Sequence, residues 1–355
     1  MSLRDYGWSD DLSKAFEGLQ RPGLEPARVL LATSAKYRLI TAAGERPGML
    51  SGRLRHLAEN ASDLPAVGDW VALKPAGTGV SRIVAVLERR TKLSRKVSGK
   101  RTGEQIVAAN VDVVFVVMGL DGDFSVRRLE RLLTLTRESG ARPVVVLNKL
   151  DICDEPGARR DEIERVAAGA PVVVCSCTDD EGMDAVRDQI RPRETAVLVG
   201  SSGVGKSTLI NRLAGSVVQE TGPVREADHR GRHTTTHREL FLLPGGGLLI
   251  DSPGIREVQL WSGEESLAQT FDDVTSLAAG CRYRDCSHET EAGCAILEAL
   301  ASGSLPSDRL ESYRALNEEL SHLERRRDES AQQAQKGKWR AIHRERRRFK
   351  NDRSR

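Results

Sequence analysis

The sequence predicts an α/β protein: a mostly parallel, doubly wound sheet, with a small all-β barrel before it and a helical unit with a Cys/His cluster after it. Three observations carry that expectation. Buried-strand runs alternate with helical stretches from VDVVFVVMG at residue 111 to LLIDSPG at residue 248. Short β-like runs separated by Gly-rich or polar turns fill residues 27 to 91. Three cysteines and a histidine crowd between Cys281 and Cys294. A chain of 355 residues is too long for one compact core. The expected division is an arm over 1–26, the barrel over 27–92, the α/β unit over 93–260, the helical unit over 261–335 and a basic tail over 336–355.

Composition narrows the class. No apolar run approaches the roughly 18 residues that span a bilayer, so no membrane partner is expected. The first residues, MSLRDYGWSDDLSKAF, are charged and lack the apolar stretch of a signal peptide, which places the chain in the cytoplasm, expected as a monomer. Six cysteines in so long a chain do not make a disulfide framework. The net charge of +3 conceals an asymmetry: residues 336–355 hold ten Lys or Arg against Glu345 and Asp352, leaving the rest of the chain at −5. That polarity concerns partners, not fold.

Taken in order, residues 1–25 are polar without a sustained period and read as a mobile arm. ARVLLAT, YRLITA, MLSGRL, DWVALK and VSRIVAVL follow as strands, with AAGERPG and PAGTG as turns. Five strands in about 65 residues suit a barrel of the oligonucleotide-binding type, with an SH3-like spacer barrel as the alternative. RRTKLSRKVSGKR, residues 89–101, is a basic connector with seven Lys or Arg. Then come the strand VDVVFVVMG, the helix SVRRLERLLTLTRESG, the strand PVVVLNK, a helix near 158–168, PVVVCS, a helix near 182–191, and TAVLVG.

The strongest motif is GSSGVGKS, comprising Gly200, Ser201, Ser202, Gly203, Val204, Gly205, Lys206 and Ser207, set between the strand TAVLV and the helix that Thr208 continues. A Gly-rich loop there lets backbone N–H groups and a helix N-terminus cradle phosphates. Lys206 can reach the β- and γ-phosphates and Ser207 can ligate Mg²⁺. NKLD, Asn148 to Asp151, follows the strand PVVVL, where ligand loops of such a sheet belong. The Asp151 carboxylate can accept from both N1–H and the N2 amine of guanine, a donor pair that adenine lacks. Lys149 can lie along the base, Asn148 can tie this loop to the phosphate loop, and a backbone N–H at Ser176 or Cys177 can read the guanine carbonyl.

DSPG ends the strand LLI: Asp251 would hold Mg²⁺ and the Gly254 N–H would sense the γ-phosphate. READHRGRHTTTHREL lies between the phosphate loop and DSPG, where a switch loop belongs, and Thr235, with Thr234 and Thr236 as neighbours, is expected to supply a second Mg²⁺ hydroxyl. Ile255 stands where many GTPases carry a water-orienting Gln, so unassisted turnover is expected to be slow, with His233 the candidate for positioning water. The order is unusual, because the guanine loop precedes the phosphate loop. The sheet is therefore expected to be circularly permuted.

These residues, with PAVGDWVAL, ERRTKLSRK, QIVAANVDVVFVV, DFSVRRLERLL, GSSGVGKSTLINRL, GRHTTTHREL, LLIDSPGIRE and CRYRDCSHETEAGC, closely resemble the ribosome small-subunit-dependent GTPase A family from about residue 27 to 345. The resemblance implies an N-terminal OB-type barrel, a permuted P-loop GTPase, a zinc-bearing C-terminal domain and a part in late maturation of the small ribosomal subunit. It implies GTP and GDP as ligands and the subunit's rRNA as partner.

Cys281, Cys286, His288 and Cys294 give C-x4-C-x-H-x5-C, three thiolates and an imidazole that close a tetrahedral structural Zn²⁺ site. KGKWRAIHRERRRFK pairs cations with Trp339, His343 and Phe349, a combination suited to phosphates and unpaired bases. Two other readings stand beside the GTPase: an RNA-binding module that keeps nucleotide as a structural ligand, which Ile255 favours, and an ATPase, which Asp151 opposes.

Overall fold

The computed structural model describes residues 2–33, 36–77, 79–96, 104–218, 238–251, 264–323 and 325. The barrel strands are β1 (Glu25–Ala32), β2 (Tyr37–Thr41), β3 (Gly44–Leu50), β4 (Trp70–Lys74) and β5 (Ser81–Val86). They run β1-β2-β3-β5-β4, and β4 returns to pair with β1, which closes the ring. Ala27, Val29, Leu39, Val71, Leu73 and Ile83 fill it, all with essentially no exposure. Two expectations shift here. The GERPG stretch, read as part of a turn, is the start of β3, paired with β2 from Thr41↔Gly44 to Tyr37↔Gly48. The turn shrinks to Ala42 and Ala43 because Gly44 takes a φ of +106° that closes the hairpin. The second half of MLSGRL is helix α1 (Gly52–Leu57), started by the Ser51 hydroxyl, which accepts from the Leu54 N–H at 3.2 Å.

The segment before the barrel is not a free arm. Leu3–Tyr6 forms a helical turn and Asp10–Glu17 a helix, capped by Ser9, with Leu3, Tyr6 and Leu12 buried. Trp8 meets Trp70 edge-on, with ring centroids 4.8 Å apart. The apolar residues are few and unevenly spaced, which hid them from a periodicity argument, yet they cover one seam of the barrel. Beneath them lies Arg28 of β1, fully buried. It donates to Tyr6 O, to Gly68 O at 3.2 Å, to Asn110 O at 3.2 Å and to Thr195 Oγ1 at 2.8 Å. Burial pulls this guanidinium down to about 10, and carbonyl acceptors from three parts of the chain satisfy its donors.

The basic connector is in part a hairpin, β6 (Lys92–Lys96) against β7 (Glu104–Ala109). The second sheet segment then follows: β8 (Val113–Gly119), β9 (Arg142–Asn148), β10 (Val172–Val174), β11 (Thr195–Val199), β12 (Glu239–Leu242) and β13 (Leu248–Asp251). Their order is β10-β9-β8-β11-β13-β12, parallel throughout except β12. Numbering the helices onward, α2 is the N-terminal-capped Val126–Glu138, α3 is Pro156–Val166, α4 is Met183–Arg187 and α5 is Lys206–Ala214. They cover both faces of a sheet whose strands are apolar on both sides, as a parallel sheet requires. Strand β12, which no sequence argument singled out, joins the two halves: it pairs with β13 and, at Leu31↔Glu239, with β1, so the strands make one eleven-stranded ladder.

Beyond residue 263 the described chain is helical: α6 (Glu264–Thr270), α7 (Asp272–Ala278), α8 (Ala295–Ser302) and α9 over 307–323. α6 packs on α2, and Leu267, Phe271, Ile296, Leu310 and Leu320 join the same apolar core as Leu129 and Leu133 of α2. No helix among the described residues is long and apolar enough to cross a membrane.

Candidate active site

Loops at the C-terminal ends of neighbouring parallel strands converge, as ligand loops do in open α/β sheets. The strand β11 is buried along its whole length and delivers Gly200 to the edge of the sheet. Gly200 has φ +147° and Gly205 φ +92°. A Cβ on Gly200 would lie 2.2 Å from Val117 O, and one on Gly205 would lie 2.2 Å from Asn148 Nδ2, so both positions exclude a side chain. Lys206 opens α5 and its ammonium donates to Gly200 O at 2.9 Å and to Ser201 O. Ser207 and Thr208 occupy the first turn of α5, whose N-terminal N–H groups and dipole suit an anion.

The amide of Asn148 fastens three loops together. Its Nδ2 donates to Val204 O of the glycine-rich loop at 2.8 Å, and its Oδ1 accepts from the Cys177 N–H at 3.0 Å. Asp151 Oδ1 accepts from Ser176 Oγ at 2.7 Å, which fixes one carboxylate oxygen. Arg212 of α5 donates to Cys177 O and Thr178 O, each at 2.9 Å, so the helix after the glycine-rich loop also holds the Ser176–Cys177 turn. The Cys177 side chain is buried; its hydrogen bond with Cys175, together with burial, pushes the thiol well up, and its backbone N–H and C=O are taken by Asn148 and Arg212.

Lys149 sits at φ +72°, and its ammonium donates to Asp121 Oδ2 at 2.5 Å. Burial works to raise the Asp121 carboxyl, but the Lys149 hydrogen bond, the Asp123 N–H and the Lys149 charge outweigh it and hold the group below its usual range. Asp121 went unremarked in the sequence. Its signal was positional: it follows VDVVFVVMG at the end of a central parallel strand, where ligand-side loops emerge. Asp251 closes β13, buried, beside β11, in register with Glu239 of β12. His233, Thr234, Thr235, Thr236, Gly254 and Ile255 lie outside the described residues, as does the basic tail with Trp339, His343 and Phe349.

The Cys/His cluster is a second, separate site. The ligand atoms of Cys281, Cys286, His288 and Cys294 all lie within 4.8 Å of one another. His288 Nδ1 is 3.5 Å from Cys281 Sγ and 3.4 Å from Cys294 Sγ, and the two sulfurs are 3.9 Å apart. A tetrahedron with Zn–S of about 2.3 Å and Zn–N of about 2.0–2.1 Å has S–S edges near 3.8 Å and S–N edges near 3.6 Å, so these side chains fit one zinc. His288 takes a left-handed φ of +60°, and Cys294 stands at the residue before α8.

A glycine-rich phosphate-type loop and an NKLD loop on neighbouring strand ends, met in reversed order along the chain, define a circularly permuted nucleotide-binding α/β domain behind a barrel. Solved structures share this architecture. YjeQ from Thermotoga maritima superposes with TM-score 0.63 at 25% identity, over 84% of this chain and 98% of that one. YloQ, described as a circularly permuted GTPase, superposes at TM-score 0.59 and 23% identity, over 85% and 96%.

The profile of the RsgA GTPase family matches residues 86–261. The chain is 46% identical over 353 residues to the small ribosomal subunit biogenesis GTPase RsgA of Opitutus terrae, covering 97% of this chain and 96% of the relative. It is 44% identical over 360 aligned positions to the protein of the same name from Syntrophotalea carbinolica, covering 99% of each. The chain belongs to the RsgA GTPase family and is a GTP hydrolase of that family.

Proposed function

We propose that this GTPase acts in the cytoplasm on the small ribosomal subunit during its biogenesis, as a monomer that binds rRNA and hydrolyses GTP in response to that contact. The observation that carries the nucleotide half of the reading is the double hydrogen bond of Asn148, because it draws the NKLD loop, the Ser176–Cys177 turn and Gly200–Ser207 into one pocket. In it Asp151, held by Ser176, accepts from guanine N1–H and the N2 amine, and the Cys177 N–H, bound to Asn148 Oδ1 in the unliganded protein, is the group that would be shared with the base carbonyl. Lys149 flanks the base. Lys206 turns from the loop carbonyls to the phosphates, which Gly200–Thr208 enclose. Mg²⁺ supplies charge neutralisation between phosphate oxygens when bound, and Ser207, Asp251 and Thr235 are the residues that would hold it. Gly254 and His233 are assigned to sensing the γ-phosphate and positioning water.

The subunit half rests on the relatives' names and on the chemistry of the flanking units: a five-stranded barrel of a kind that binds oligonucleotides, a C-terminal unit whose Cys/His cluster would fit one structural zinc, and a tail at +8 over residues 336–355. We divide the chain as arm 1–26, barrel 27–92, permuted GTPase 93–260, helical zinc unit 261–335 and tail 336–355, with the arm packed on the barrel. Ile255 in place of a water-orienting Gln is the observation that favours a slow enzyme awaiting its partner. The test is GTP turnover by the purified protein alone, with small subunits and with large subunits. A rise with small subunits only is expected. No rise would remove the ribosome-triggered switch and leave an RNA-binding module that holds nucleotide.

A further inference from the structure

The loop between β8 and α2, residues 120–125, carries an unbroken series of polar contacts from the guanine loop to the phosphate loop. Lys149 Nζ donates to Asp121 Oδ2 at 2.5 Å, and Asp121 Oδ1 accepts from the Asp123 N–H at 3.2 Å. Asp123 in turn accepts from Arg128 Nη1, at 2.6 Å through its carboxylate and at 3.1 Å through its carbonyl. The same Nη1 donates to Ser201 Oγ at 2.9 Å. The base of the Arg128 side chain is fixed as well, because its N–H is bound by the Ser125 cap of α2.

We propose that Arg128 is a positioning residue of the nucleotide site, fastening the start of the phosphate loop through Ser201 Oγ to the first turn of α2. This rests on the reading of Gly200–Ser207 as the phosphate loop. The physical need comes from the glycines. Gly200, Gly203 and Gly205 give the loop positive-φ conformations that receive phosphate, and they leave it few side chains with which to hold that shape. Each restraint on the unliganded loop lessens the ordering lost on binding. Ser201 is restrained at two atoms: Lys206 takes its carbonyl and Arg128 its hydroxyl. When Lys206 turns to phosphate oxygens, the Arg128 contact remains. The guanidinium is already paired with Asp123, so Arg128 acts on the loop and not as a phosphate counter-charge. The pairing is half-exposed, at 44% for Arg128 and 33% for Asp123, so the effect is modest.

The experiment is a double-mutant cycle on release of fluorescent GDP and on the GTP dependence of turnover, in the full chain with Mg²⁺. Arg128→Ala and Ser201→Ala should each speed GDP release by about fivefold, and the double variant should do no more than either alone. The loss should fall on KM for GTP, with kcat changed less than about twofold, because the contact is made alike in ground and transition states. Unchanged release in Arg128→Ala, a double variant near the product of the two single effects, or a fall confined to kcat would each overturn the proposal. Lys206→Ala runs alongside: if it also leaves nucleotide binding intact, the phosphate-loop reading itself fails; if it weakens binding and Arg128→Ala does not, only the role of Arg128 falls.

Discussion

Replacing Arg309 with methionine tests how far the C-terminal helices depend on one buried cation. From α9 its guanidinium donates to Glu130 Oε1 of α2 at 2.6 Å, to both carboxylate oxygens of Asp273 at 3.0 and 2.9 Å, and to Thr270 O at 2.8 Å, and it stacks 4.2 Å above the Phe271 ring. The two acids differ in what they would lose. Asp273 is 43% exposed and can return to water, whereas the Glu130 side chain is 1% exposed and cannot. Stranding a buried carboxylate costs about 3–5 kcal/mol, which in a chain this large lowers the thermal midpoint by roughly 4–7 °C. Adding Glu130→Gln to Arg309→Met removes the stranded charge and should recover most of that deficit. Burial already pushes the Glu130 carboxyl above its usual range against the pull of Arg309, and losing the cation pushes it further. A carboxyl raised in the folded state keeps its proton where the unfolded chain has lost it, so stability falls as pH rises from the unfolded value through the folded one. The variant's deficit should therefore be largest at neutral pH and shrink toward pH 5 in calorimetric melts across that range. A deficit that is flat with pH and untouched by Glu130→Gln would show that Arg309 acts only by packing on Phe271 and Thr270, and would refute the electrostatic reasoning.

Other outcomes follow from the nucleotide and zinc sites. Asp151→Asn replaces an acceptor oxygen with a donor amide; affinity for GTP should fall by about 100-fold or more while xanthosine triphosphate, with a carbonyl at position 2, gains, as competition titrations would measure. Gly205→Ala puts a methyl 2.2 Å from Asn148 Nδ2 on a residue at φ +92°, so GTP binding should be lost by calorimetric titration while the far-ultraviolet dichroism is kept. The purified protein should carry one zinc by elemental analysis, and Cys286→Ser or a strong chelator should remove it and make residues 281–294 the first target of limited proteolysis.

What could be read from the chain beforehand divides by the kind of physics involved. GSSGVGKS and NKLD stood out because proposed phosphate and guanine recognition would demand particular residues at close spacing, and the βαβ alternation around them was legible because buried parallel strands are apolar on both faces. The Cys/His spacing was legible for the same local reason. The N-terminal segment was not: Leu3, Tyr6, Trp8 and Leu12 have no shared period, and their value appears only when Trp70 and Arg28 come to meet them from the barrel. Strand β12 was hidden because four residues, Glu239–Leu242, are too short for a pattern and owe their conformation to partners on both sides. Asp121 and Arg128 were passed over because a charged residue in a polar loop has no signature until its partner, Lys149 or Ser201, is placed beside it.

Permutation places the proposed magnesium carboxylate between two neighbours. Asp251 ends β13 and stands in register with Glu239, the first residue of β12; Glu239 pairs in turn with Leu31 of the barrel and forms an ion pair with Arg38 of β2. A barrel strand thus meets the edge of β12 at one register pair, Leu31↔Glu239, which makes the barrel part of the same hydrogen-bonded ladder as the strands of the nucleotide domain. Arg28 adds a second fastening, from the barrel core to Thr195 at the start of β11, the strand that leads into the glycine-rich loop. On the far side α2 bears the C-terminal helices through Glu130, Arg131 and Arg137, which meet Arg309, Glu319 and Thr270. A unit docked by its barrel on one partner surface and by its C-terminal helices on another would therefore load β12–β13 and α2, the elements that border the proposed magnesium and phosphate positions. An ordinary chain order would put the chain ends elsewhere on the sheet and forfeit that arrangement. Arg38→Ala removes the ion pair with Glu239 but leaves the Leu31↔Glu239 backbone pairing and the nucleotide loops in place; it should leave basal GTP turnover near its starting value and reduce any stimulation by small subunits. Stimulation left intact would mean that this ion pair takes no part in coupling the barrel to the nucleotide site.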